Sequence, residues 1–125
     1  QGADMANPTI TDISQDGSVV LVTWTLTSAD ATGVAIPWVQ WADRTVLFYG
    51  GATWGAATAA FEGSNDGTNF IALADGQGGA ISKTTDSVES IVELTRFARP
   101  RLTTVGTAAS IAVSLVMRRQ QPIRV

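Results

Sequence analysis

The sequence contains no cysteine and no histidine, and Lys83 is its single lysine. Without cysteine there is no disulfide framework and no thiolate metal site. Without histidine the commonest general base and the commonest metal ligand at neutral pH are both missing. Oxidation state and mild acid are therefore expected to matter little to the fold. No apolar stretch approaches the ~20 residues that a membrane helix requires. Residues 1–8 lack the basic and apolar regions of a signal peptide, so no leader is expected there. One lysine and a net charge of −3 also argue against general nucleic-acid binding.

What is present is period-two alternation. Ser18 to Thr27 sets Val20, Val22, Trp24 and Leu26 on one side and Val19, Leu21, Thr23 and Thr25 on the other, as a half-buried strand demands. Ser110 to Met117 groups Ile111, Val113, Leu115 and Met117 in the same way. Shorter strands are expected over 44–49, 56–63, 70–74, 80–84 and 87–94. Pro100 within Phe97 to Thr103 predicts an edge or a bulge. Phe61 to Phe70 reads as a hairpin, with Asp66-Gly67 supplying the positive backbone angles of its turn. No helical period with caps is visible. The 125 residues predict an all-β chain, a single antiparallel β-sandwich or jelly-roll-like domain with extended terminal arms. Residues 1–14 form an arm or first strand, 15–118 the sandwich, and 119–125 a C-terminal tail with apolar tips, Ile123 and Val125. A core of that size needs no covalent staples, since about two thirds of the unfolded surface can be buried.

Few residues invite chemistry. Glu62, Glu89 and Glu93 fall on expected strands, and the last two should share a face, formally a glycosidase pair. Strand alternation accounts for all three as solvent-facing positions, so no catalytic residue is expected. Asn65-Asp66-Gly67-Thr68-Asn69 does not meet the EF-hand pattern, and a turn explains it without a metal. Gly50-Gly51-Ala52-Thr53-Trp54-Gly55 lacks the Lys-Ser/Thr of a phosphate loop. No cofactor is expected.

Charge is placed unevenly. Residues 1–95 hold all eleven acids with only Arg44 and Lys83, a net −9, whereas Arg96, Arg99, Arg101, Arg118, Arg119 and Arg124 give the remainder +6. Arginine suits fixed ion pairs and interfaces. An acidic body with one basic seam predicts contact with something acidic through Arg96, Arg99, Arg101, Arg118 and Arg119. Trp24 reads as core. Trp38, Trp41 and Trp54 lie in expected loops or strand edges, where an exposed indole could anchor a protein interface or stack on a sugar. Together with Ile123 and Val125, these residues form the expected interface.

Three blocks carry a resemblance. Ala42-Asp43-Arg44-Thr45-Val46 leads to Gly51-Ala52-Thr53-Trp54-Gly55-Ala56, then come Glu62 to Phe70, and then Arg96 to Pro100 followed by Ser110 to Arg118. Over residues 18–118 this order resembles small virion structural proteins of tailed bacteriophages, of the head decoration (cement) type. The resemblance implies a non-enzymatic β-sandwich on the outer capsid surface of the virion, assembled in the host cytoplasm. It implies the major capsid protein and further copies of the chain as partners, with a homotrimer preferred, and no membrane or nucleic-acid partner. The Ser64 to Phe70 hairpin also occurs in discoidin-like and other carbohydrate-binding sandwiches, with Phe70 where that pattern often has Trp. A carbohydrate- or receptor-binding module of a phage tail or fibre is the alternative.

Overall fold

The structure, a computed structural model, describes residues 5–14 and 16–119. The expected contacts of Ile123 and Val125 lie outside the described residues. The first six strands are β1 (Met5–Ala6), β2 (Thr9–Asp12), β3 (Val19–Thr27), β4 (Thr32–Gly33), β5 (Ile36–Pro37) and β6 (Trp41–Tyr49). The others are β7 (Thr58–Ser64), β8 (Ile71–Ala72), β9 (Ser82–Lys83), β10 (Ser87–Ser90), β11 (Phe97–Thr104) and β12 (Ser110–Arg119). They form two sheets. One is antiparallel throughout, in the order β10-β6-β12-β3-β2. The other runs β1-β4-β11-β7-β8, with β5 added to β11 and β9 to β7. Its β1–β4 pair is parallel, which makes that sheet mixed.

The alternation of β3 and β12 supplies most of the inner layer of the first sheet. Val20, Val22, Trp24, Leu26, Ile111, Val113, Leu115 and Met117 are all buried. Across the interior, Phe61 of β7 meets the Trp24 ring edge-on with centroids 6.0 Å apart and the Trp38 ring at 5.8 Å. Both indoles find acceptors for their N–H groups, Val34 O at 3.0 Å for Trp24 and Thr95 Oγ1 at 3.3 Å for Trp38. A buried indole needs such a partner. Lys83 Nζ meets Glu89 Oε2 at 2.6 Å and ties the edge of one sheet (β9) to the edge of the other (β10).

Two strand expectations are corrected. Of the edge or bulge expected from Pro100, the edge is corrected, since β11 is interior, between β7 and the short strands β4 and β5, while its register against β7 shifts between Leu102 and Thr104. Leu102 N–H donates to Ala31 O, on the β4 side. Two residues earlier, Pro100 turns its nitrogen the same way, into the interval between the β5 partners (Phe97, Ala98) and the β4 partner (Arg101). The missing donor therefore falls where no ladder bond is required. The strand expected over 87–94 ends at Ser90. Beyond it Ile91 turns inward and is buried, while Val92 and Leu94 are exposed.

The expected hairpin is present, pairing Glu62 with Ala72 and Gly63 with Ile71. Only Gly67 takes a positive φ, +80°. Asp66 instead works as an acceptor, holding the N–H groups of Asn69 and Thr68, each at 2.8 Å. Those bonds, with the Asn69 amide and the Ser64 hydroxyl, hold the Asp66 carboxyl far below its ordinary 3.8. Loop carboxylates elsewhere do the same. The hydroxyls of Ser18 and Ser14 lower Asp16 to about 2. The N–H groups of Gln77 and Gly79 lower Asp75, and the Trp54 indole with the Gly50 and Gly51 N–H groups lowers Asp86.

Each of these carboxyls binds a proton more readily in the unfolded chain. Their contribution to stability is complete above about pH 4 and is lost as pH falls through the folded values. With no histidine to titrate, the unfolding midpoint should be flat from about pH 5 to about pH 7 and drop only below about pH 4. A calorimetric pH series checks this, and a step near pH 6 would refute it.

Candidate functional site

On the outward side of β7 the positions expected to meet solvent are covered. Ala60, Glu62 and Ser64 are all buried, Glu62 to 4 % exposure, so the expectation of a solvated Glu62 is overturned. The pairing explains why. Arg99 stands opposite Glu62, and Arg101 opposite the adjacent outward residue, Ala60. Both arginines fold over the carboxylate. Arg99 Nε donates to Oε1 at 3.2 Å and Arg101 Nε to Oε2 at 3.0 Å. The Phe61–Phe70 hairpin then brings the Phe70 ring beside Arg99, whose guanidinium carbon lies 3.8 Å from the ring centroid. A buried carboxylate is tolerable only when paired in this way.

The two arginines thus share a face across Pro100, as their spacing predicts. Arg96 is exposed and stands apart from the pair. Its backbone N–H donates to Asn65 Oδ1 at 3.1 Å, and its guanidinium carbon lies 4.9 Å from the Phe97 ring centroid. Arg118 and Arg119 divide as strand alternation requires. Arg118 pairs with Asp43, and Arg119 lies over Trp41, 5.1 Å from the ring centroid. Part of the basic seam therefore meets acids of its own chain.

The tryptophans depart furthest from expectation. Trp38 is fully buried and Trp54 is 8 % exposed, so neither presents a surface. The Trp54 indole N–H is spent on Asp86 Oδ1 at 2.8 Å. Trp41 is half-buried and lines, with Ile10, Ile36, Pro37 and Met117, a small apolar cleft of about 240 Å³. Arg44, which the sequence does not single out, lies 4.5 Å over the Trp38 ring and donates from Nη1 to Glu93 O at 2.8 Å. Burial pushes its pKa down, opposed by the Glu93 charge.

Glu89 and Glu93 do not act as a pair. Glu89 belongs to the Lys83 ion pair, and Glu93 Oε1 accepts the Ala74 N–H at 2.7 Å. A polar cleft of about 570 Å³ does bring Asp75 near Glu89. A general acid there would need a raised pKa, and Asp75 is shifted the opposite way by the Gln77 and Gly79 N–H groups.

The outer face of the five-stranded sheet has a different chemistry. Its register places Val88, Leu47, Ser114, Thr23 and Thr9 in one rung across all five strands. The next rung is Ser90, Thr45, Val116, Leu21 and Thr11. Neither rung contains a charge. Tyr49, Val88 and Leu47 are among its exposed residues, at 59 %, 57 % and 41 %. At the margin of this face Arg118 pairs with Asp43.

No protein-family description matches this chain, and no curated protein matches it. Among solved structures it is similar to the crystal structure of protein NMB1881 from Neisseria meningitidis, at 12 % identity and a TM-score of 0.42, covering 89 % of this chain and 81 % of that one.

Proposed function

We propose that this chain is a non-enzymatic virion structural protein, a capsid decoration (cement) protein that bridges major capsid subunits from outside the head and assembles as a trimer. The observation that carries this reading is the pair of charge-free rungs on the five-stranded sheet. A flat sheet face turned to water ordinarily alternates polar and charged groups outward, and exposed apolar patches mark contact surfaces. A face of Thr, Ser, Val, Leu and Tyr can be covered by protein with no charge left unpaired. The carboxylates support the same reading, since each candidate acid is already engaged by lysine, arginine or backbone N–H groups. Several such contacts made at once by an oligomer gain avidity through effective concentration. A sugar-stacking module is less well served, because Trp38 and Trp54 lie inside and Phe70 has Arg99 over its ring.

Titration onto emptied phage heads tests the proposal, beside a glycan array. A charge placed mid-face, Leu47→Glu, should leave stability within about 0.5 kcal/mol, as surface changes usually do. It should nevertheless weaken head binding at least about tenfold, because a buried unpaired charge is costly at an interface. Head binding unaffected by Leu47→Glu and by Val88→Lys would refute the assigned face, and glycan binding without head binding would refute the function.

A further inference from the structure

On the outer face of the seven-stranded sheet, two guanidiniums share one buried carboxylate and meet it only through Nε. One positive charge is therefore left over. The Nη groups of Arg99 and Arg101 make no hydrogen bond among the described residues. Internal pairing leaves this arrangement incomplete. Arg99 is also fixed in orientation, since its Nε is tied to Glu62 and its plane rests near Phe70 at 3.8 Å. A guanidinium held in that way loses little freedom when its fork engages a ligand. The residues opposite the triad on the far side of β7 are small, Ala72 beside Glu62 and Ser82 beside Ala60.

We propose that Arg99 and Arg101 form a receptor for a single carboxylate presented by an acidic segment of a partner protein. The carboxylate would accept hydrogen bonds from the free Nη groups in the planar manner that arginine forks favour. Charge decides the ligand class. The triad has one uncompensated positive charge, two guanidiniums on a single carboxylate. A nucleic acid, with a charge about every 1.7 Å of helix, would bring far more negative charge than this face can neutralise. One carboxylate balances it. The proposal does not rest on the virion reading, which concerns the opposite sheet.

The test follows the arginine Nε–H signals of the full chain by NMR while the blocked peptide acetyl-Ser-Glu-Ser-amide, which carries a single carboxylate, is added. Its glutamine analogue, inorganic sulfate and a single-stranded oligonucleotide serve as parallel arms. The glutamate peptide, but not its glutamine analogue, should move the Arg99 and Arg101 signals. R99K and R101K keep the charge facing Glu62 but remove the fork, and each should weaken binding about tenfold. R119K, whose parent side chain lies over Trp41, should bind like the parent. Unmoved signals, or lysine variants that bind equally well, would overturn the site. Tighter binding of sulfate or oligonucleotide at the same signals would overturn its assignment to a carboxylate. Should a lysine variant unfold, the signals of the unaltered chain decide the matter.

Discussion

Alanine in place of Trp38 should cost about 3–5 kcal/mol of unfolding free energy, the range for emptying a buried aromatic position. In a chain of this size that corresponds to roughly 10–20 °C in the unfolding midpoint. The ring is fully buried, packs on Phe61 and lies under Arg44. Trp38→Phe keeps most of this packing but gives up the 3.3 Å bond to Thr95 Oγ1. It should cost about 1–2 kcal/mol, the scale of one hydrogen bond plus imperfect refilling. Urea denaturation measures both. The same variants separate core from interface, since a contact residue would lose partner binding with its stability intact. A loss below about 1 kcal/mol for Trp38→Ala would contradict its assignment to the core.

Glu62→Gln should be the most damaging single-charge change, at about 2–3 kcal/mol. A fully buried pair that loses one member costs about 3–5 kcal/mol. The figure is reduced here because the Arg99 and Arg101 side chains remain 22 % and 39 % exposed, so solvent screens part of the effect. Glutamine fills the same volume, which isolates the charge. The comparison is Asp43→Asn, which breaks the exposed pair with Arg118 and should change stability by less than about 0.5 kcal/mol. Replacing Glu62, Arg99 and Arg101 together with leucine or methionine should restore much of the loss, because packed apolar groups can replace a buried charge cluster. If Glu62→Gln and Asp43→Asn cost the same in chemical denaturation, the triad contributes no more than a surface pair.

The long strands were legible because β3 and β12 alternate without interruption and each buries one side completely. The hairpin was legible through Gly67. Trp38 reads as a loop residue because its neighbours are Pro37, Val39 and Gln40. Its burial depends on Phe61 and Thr95, which are distant in sequence and reach it only once the sheets close. Glu62 reads as solvated because alternation reports which side of a strand a residue occupies, not what covers that side. The covering groups, Arg99 and Arg101, are 37 and 39 residues away. A sign was present in two arginines spaced by two on one strand, but their acid could be identified only from the register. Pro100 points to an edge for a related reason, since proline excludes a donor from one flank only, and the flank with no partner to lose is decided by where β4 and β5 stop.

The placement of β12 also has a mechanical consequence. It is bonded to β3 from Ser110 through Arg118 and to β6 from Ala112 through Arg119. A pull transmitted along its axis loads both ladders in shear, so many hydrogen bonds share the force and must fail nearly together. The β1 strand is two residues long and, among the described residues, pairs with β4 alone. The same pull applied there is shared by the few bonds of a two-residue ladder, which fail at far lower force. Forced unfolding is governed by the unfolding rate, so this molecule should resist tension strongly from its β12 end and yield early from its β1 end.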